Sequence, residues 1–311
     1  MVVGFIGSKK VAVFILVLVL VIVVYEGVTQ QVTAKILIAG AFLLAANLVC
    51  CMYVNAGRVA KRSLRQTGFV TFHTGLLVIL LGGVVSYYTY SVGYVEVAEG
   101  NSFSDERSSY NGWKQRFGSR KGTGVQIGVK KIHLNFWENG QIKEYTSQVV
   151  IRDGGMEREA VLEVNGSVRH RGLLINLARY FGLAPHFALE TAQGEKEGYI
   201  YISDTGKTNT FTIPALGYEA TAAYRNITDR AVAVSVCAPG KGWVSRTMVA
   251  GDVLDLGKGR LKLTGISLWN GITVVKDSGK EITFAGFALF LAGLLMYYLR
   301  FFQEALRSGR D

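Results

Sequence analysis

Four uncharged apolar runs constrain this chain more than any other feature. Residues 11–24, 36–54, 69–88 and 282–299 each approach, with their flanks, the ~20 residues a helix needs to cross about 30 Å of hydrocarbon. No other window of the 311 residues is as apolar and as free of charge. Lipid offers a backbone no hydrogen-bond partners, so an apolar run of this length is predicted to cross as a helix. The expected organisation is three transmembrane helices within 1–90 (about 9–27, 36–55 and 69–89), an outer domain over 91–280, and a fourth transmembrane helix with a short tail over 281–311.

The first run opens like a signal peptide, with Lys9 and Lys10 ahead of apolar residues. No small-x-small cleavage site follows, and the second run begins almost at once after Tyr25-Glu26-Gly27-Val28-Thr29. It therefore reads as a retained span.

A formal net charge of +11 suggests nucleic acid until the charges are mapped. Residues 91–281 hold 24 Lys and Arg against 20 Asp and Glu, so most of the excess lies beside the apolar runs. Lys9 and Lys10 precede the first. Arg58, Lys61, Arg62 and Arg65 lie between the second and third, and Arg300, Arg307 and Arg310 follow the fourth. The connection between the first two runs carries only Lys35. Basic residues resist translocation and collect on the cytoplasmic side. Both termini and the 58–65 loop are thus expected inside and the 91–280 region outside, with lipid rather than nucleic acid as the partner of the basic flanks.

The outer region reads as an all-β domain, a sandwich or open barrel. Val125, Ile127 and Val129 alternate with Gln126 and Gly128, and Ile132, Leu134 and Phe136 continue on a shifted register. The run 145–152 closes on Asp153-Gly154-Gly155, and 161–164 closes on Asn165-Gly166. Stretches 198–203, 208–213, 231–236 and 261–266 repeat the pattern. Residues 101–124, rich in Ser, Gly, Arg and Lys, are expected as a solvated loop in which Lys114, Arg116, Arg120 and Lys121 could meet an anion. Cys237 is the one cysteine outside the apolar runs, so the outer domain has no internal disulfide and must rely on a packed core. Cys50 and Cys51 are adjacent in the second run; packing is the ordinary role for such a pair, and redox chemistry the alternative.

No Gly-x-Ser-x-Gly, His-Glu-x-x-His, phosphate-binding Gly loop or Cys-x-x-Cys occurs in the outer region. Its histidines, His133, His170 and His186, are scattered, with His170 between Arg169 and Arg171. Cys-x-x-Cys-His, the covalent haem attachment site, is absent too. The chain is not expected to be catalytic by itself.

The informative residue is His73, within the third run and about one turn from its cytoplasmic edge. An ionisable side chain at membrane depth is a functional-site hypothesis, and neutral imidazole is the type that costs least there while still binding iron or zinc. The bland reading is a histidine hydrogen-bonded to a neighbouring helix. At ~100° per residue, Gly75 and Gly82 lie roughly 200° and 180° around the helix from His73. The fourth run repeats the seven-residue spacing with Gly286 and Gly293. These glycine faces are predicted to pack together, turning His73 toward another helix or another protein.

At this point the residues resemble the ResB/CcsB family of system II cytochrome c biogenesis proteins. The likeness is carried by the stretch from His73-Thr74-Gly75 through Gly82-Gly83 to Gly93-Tyr94-Val95 and Glu99-Gly100. It continues through Glu138-Asn139-Gly140 to Tyr145-Thr146-Ser147, Val164-Asn165-Gly166 to Arg171-Gly172, and Val274-Val275-Lys276-Asp277-Ser278-Gly279 before the last run. Ser278 stands where that family usually has Pro, the strand after Gly172 lacks the family's Gln and Ser, and the chain is short for the family.

The resemblance implies a multi-pass protein of the bacterial cytoplasmic membrane that works with a tryptophan-rich partner of the CcsA/ResC type. The pair carries haem b outward and delivers it to Cys-x-x-Cys-His of apocytochrome c. The family's membrane-embedded histidine, an axial haem ligand, aligns with His73. Trp113, Trp137, Trp243 and Trp269 are isolated, so the tryptophan-rich segment would belong to the partner, as would a second axial imidazole. Two other readings stay open. One is a scaffold that stabilises its partner without touching haem. The other is a membrane-anchored sensor of an external ligand, which the tail of about a dozen residues after 299 leaves without room for a signalling domain.

Overall fold

The computed structural model describes residues 2–29, 34–56, 64–115, 117, 120–203, 206–238, 240 and 242–308. The described residues form two compact units. One is helical, built from the stretches up to Tyr90, Phe117 and the stretch from Asp277 on; the other, between Ser91 and Lys276, is β-rich.

The helical unit contains α1 (Val2–Ile6), α2 (Lys9–Thr29), α3 (Ala34–Ala56), α4 (Leu64–Thr89) and α5 (Gly279–Ser308). Among the described residues, the stretches Ile36–Asn55, Leu64–Thr89 and Gly279–Leu299 are long and apolar enough to cross a membrane. Helix α4 starts five residues before the apolar run, taking in Leu64, Arg65 and Gln66, which are good helix formers and do not need lipid to hold them. Helix α1 carries too few residues to show a helical period and has no counterpart in the expectation. It is tied to α3 by the buried Asn47, whose amide donates to the carbonyls of Ile6 and Ser8.

The α4–α5 contact is the closest in this unit. A β-carbon on Gly68 would press on the backbone of Gly293, Met296 and Tyr297, one on Gly75 on Gly286 and Phe290, and one on Gly82 on Thr283. The predicted meeting of glycine faces is what the structure has, and it brings the two backbones within van der Waals distance. Asp277 begins α5, its Oδ1 accepting from the amides of Gly279 (3.0 Å) and Lys280 (3.2 Å) and from the hydroxyl of Ser86 on α4 (2.7 Å).

The β unit starts with β1 (Ser91–Ala98), β2 (Ser102–Ser104), β3 (Gly112–Gln115), β4 (Gln126–Phe136), β5 (Ile142–Asp153), β6 (Met156–Glu163) and β7 (Val168–His170). It continues with β8 (Leu173–Thr191), β9 (Gly194–Tyr199), β10 (Asn209–Ile213), β11 (Tyr218–Ala223), β12 (Val232–Ala238), β13 (Gly242–Met248), β14 (Val253–Asp255) and β15 (Gly259–Lys276). They pair into three sheets. The largest has the order β3-β1-β15-β8-β7, with β14 on β15 and β9 on β8; the others run β10-β11-β12-β13 and β2-β4-β5-β6. One apolar core joins all three, through residues such as Val97, Ile127, Val149, Ile175, Leu183, Val234 and Leu263.

The spine is the antiparallel pair β8–β15, registered from Gly259 opposite Thr191 to Lys276 opposite Leu173, with register shifts at Leu263/Gly265 and Asn270/Ile272. Between the shifts the alternation fails and Leu268 to Ile272 are all buried. A strand covered on both faces has no solvent side for polar residues to mark. That is why only 261–266 of β15 was legible.

In β4 the shifted register is a bulge between Val129 and Lys131. Gly154 and Gly155, at φ 56° and 87°, form the two-residue turn between the paired Asp153 and Met156, a turn that needs left-handed conformation at both positions. The stretch 198–203 is only partly strand: β9 ends at Tyr199, and Ile202 continues through a single bridge to Leu183.

The expectation of a solvated loop over 101–124 is corrected. It contains β2, a 3-10 turn at Arg107–Ser109, and β3. Arg120, its side chain 8% exposed, forms an ion pair with the fully buried Asp105 and lies 5.0 Å from the Trp113 ring centre. Asp105 also accepts from the Tyr110 and Thr123 hydroxyls, each at 2.6 Å. A buried carboxylate with a cation and two hydroxyls organises this stretch, and composition does not show such pairing. Arg116 lies outside the described residues.

Candidate functional site

His73 lies on the third turn of α4 and is 8% exposed, one of few buried polar side chains among the described residues of the helical unit. Helix geometry places its ring over the preceding turn. Nδ1 is 2.8 Å from the carbonyl oxygen of Phe69, four residues back. A carbonyl only accepts, so Nδ1 carries the proton, and in the neutral ring Nε2 holds the lone pair. The rings of Phe69 and Phe72 flank the imidazole, with centroids 3.9 and 4.2 Å away. Phe72 in turn packs edge-on against Phe290 and Tyr297 of α5.

Nε2 points to α3, 3.8 Å from the sulfur of Cys51. The Asn55 side chain donates to the Cys51 carbonyl at 2.8 Å and approaches its sulfur at 3.6 Å. Three donors thus run in one direction: the Asn55 amide to sulfur, the thiol to Nε2, and Nδ1–H to Phe69. His73 therefore faces away from the glycine contact, as its helical phase predicts, and the group it meets is a helix of its own chain. Two residues singled out separately, His73 and one of the adjacent cysteines, are brought together. Cys50, Cys51 and Cys237 are free thiols.

The arrangement suits an axial ligand of an iron porphyrin. Such a ligand needs a neutral imidazole with one free nitrogen. Its other N–H is characteristically held by a carbonyl or carboxylate that fixes the tautomer. Phe69 supplies that carbonyl, and the two phenylalanine rings supply an apolar surround.

The remaining histidines have local partners. His133 is exposed on β4, opposite Thr146. His170 Nε2 is 2.9 Å from Asp153 Oδ2, which Arg171 Nε also meets at 2.6 Å; the charge beside this imidazole is an acid as well as the flanking arginines that the sequence showed. His186 is 2.9 Å from the Ser267 hydroxyl and lies against Tyr199. The tryptophans are dispersed: Trp269 is buried with its Nε1 on the Ile202 carbonyl, Trp137 lies exposed beneath Lys143, and Trp113 lies beside Arg120.

Sequence reasoning missed the roles of Asp105 and Glu99. The Glu99 carboxylate accepts from the amides of Ile132 (2.8 Å) and Leu268 (3.2 Å), tying β4 to β15 just past the bulge. A carboxylate beside a glycine was the only signal.

Compared with known families, residues 58–251, more than half of the chain, match the ResB-like family. No curated protein matches the chain. His73 lies inside the matched stretch and Cys51 outside it.

Proposed function

This chain belongs to the ResB-like family, which carries a role in cytochrome c biogenesis, and from that premise we propose that it is a haem-handling subunit of a cytochrome c synthase complex. His73 is an axial ligand of haem iron in transit. The observation that carries this reading is the Nδ1–H bond to the Phe69 carbonyl, 2.8 Å long, which commits one ring nitrogen and presents the other as a lone pair. A single imidazole leaves the sixth iron position to a tryptophan-rich CcsA/ResC-type partner. Haem b is cargo here, and the chemistry of attachment to Cys-x-x-Cys-His of apocytochrome c is shared with that partner.

In this reading α2 is a fourth span beside the three apolar helices, in the cytoplasmic membrane of a bacterium. The basic residues beside the spans support cytoplasmic termini and an extracytoplasmic 91–280 domain, which would serve to dock partner or apocytochrome.

The test is the two-protein complex purified with His73 or with His73→Ala. The expected outcome is loss of most bound haem and of cytochrome c maturation in the variant, with partial recovery on adding imidazole. Full haem content and full maturation in His73→Ala would leave only the scaffold reading.

A further inference from the structure

Among the described residues, the Cys51 sulfur lies 3.8 Å from the His73 nitrogen that metal coordination requires, and the haem reading leaves it without a task. We infer that Cys51 is a positioning residue for His73: its thiol donates to Nε2 in the haem-free chain and is displaced when iron binds. This rests on the haem reading of His73.

The direction of the bond follows from its neighbours. Nε2 has no proton to give, because Nδ1 holds it for Phe69. The sulfur receives the Asn55 amide at 3.6 Å, which leaves its own proton for the imidazole. Distance then decides that iron and thiol exclude each other. A metal–imidazole bond is about 2.0 Å and a metal–sulfur bond about 2.3 Å. Along the 3.8 Å line between Nε2 and Sγ, an iron bonded to nitrogen would stand about 1.8 Å from sulfur, closer than a bond. Either the sulfur turns aside, by rotation of its side chain or with α3, or the metal never arrives. The thiol thus holds the ring in its coordinating tautomer, keeps Nε2 from being an unpaired polar atom in an apolar bundle, and weakly opposes binding.

Two measurements on the full chain in detergent, with whatever subunit co-purifies, test this. The first is the infrared S–H stretch of the haem-free protein. One thiol band should lie at hydrogen-bonded frequency, vanish in Cys51→Ala, persist in Cys50→Ala, and move to the free-thiol position in His73→Ala. A Cys51 band indifferent to His73→Ala would overturn the contact. The second is titration with ferric haem. A thiol bond is weak, so Cys51→Ala should bind haem roughly two- to fivefold more tightly, with an unchanged imidazole-type spectrum, and Cys51→Ser should return toward the native affinity. Equal or weaker binding by Cys51→Ala overturns the displacement, and a change of ligand type in its spectrum makes sulfur a ligand instead. Haem binding indifferent to His73→Ala removes the haem reading and the displacement with it, while the S–H band still judges the contact.

Discussion

The carbonyl oxygen of Gly286 lies 2.8 Å from where a β-carbon on Gly75 would stand, and the carbonyl of Gly75 lies 3.0 Å from a β-carbon on Gly286. The obstacle on each side is backbone, which cannot rotate aside as a side-chain tip can. Gly75→Leu should therefore separate α4 from α5 and cost about 1–3 kcal/mol or more, read as a lower thermal midpoint in detergent. Gly83→Ala, with nothing within 4 Å of the added carbon, should leave the midpoint within error. Cysteines placed at 82 and 283 should cross-link.

Asp277 joins the start of α5 to Ser86 of α4 through one oxygen. Asp277→Ala should cost about 1–2 kcal/mol, the usual value of a helix N-cap, and Asp277→Asn, which keeps an acceptor, less than half of that. Amide exchange at Gly279 and Lys280 is the direct measurement, since these donors lose their partner.

Glu99 satisfies two backbone amides from strands of different sheets. Glu99→Ala strands both, at about 2–4 kcal/mol. Glu99→Gln should retain part of the loss, because its amide group presents a donor to one of the two N–H groups. Urea unfolding followed by the fluorescence of buried Trp269 reports it.

Burial raises the ionisation of four tyrosines of the β unit, Tyr94, Tyr110, Tyr145 and Tyr201, above the ordinary phenol value of 10.0. For Tyr110 the hydrogen bond to Asp105 adds to it. Above pH 10 the unfolded chain gives up these protons while the folded chain keeps them, so stability is complete below pH 10 and falls as pH rises. Each tyrosine contributes up to about 1.4 kcal/mol per pH unit. The stability of Tyr110→Phe should fall less steeply between pH 10 and 11 than that of the native chain, although its value at pH 8 is lower. An unchanged slope would contradict the assignment.

Much of the fold was legible because local chemistry repeats at a fixed interval. The bulge in β4 showed as a shift in the apolar alternation from Val129 to Ile132, and the β5–β6 turn showed as Asp153-Gly154-Gly155. By contrast, β8 and β15 were longer than any reading of alternation allowed, because their buried middles have no solvent face. Arg120 looked like a loop cation because its counter-ion, Asp105, is set fifteen residues away.

By itself the sequence determined which segments become apolar helices, since hydrocarbon thickness sets their length, and which face of α4 meets α5, since glycines seven apart return to one side of a helix. It also determined that His73 must turn from that face. Only the tertiary structure decided what His73 turns toward. The answer depends on how far α3 is rotated against α4, and no period within either helix encodes that angle. The meeting of Cys51 with Nε2 is a product of packing between helices.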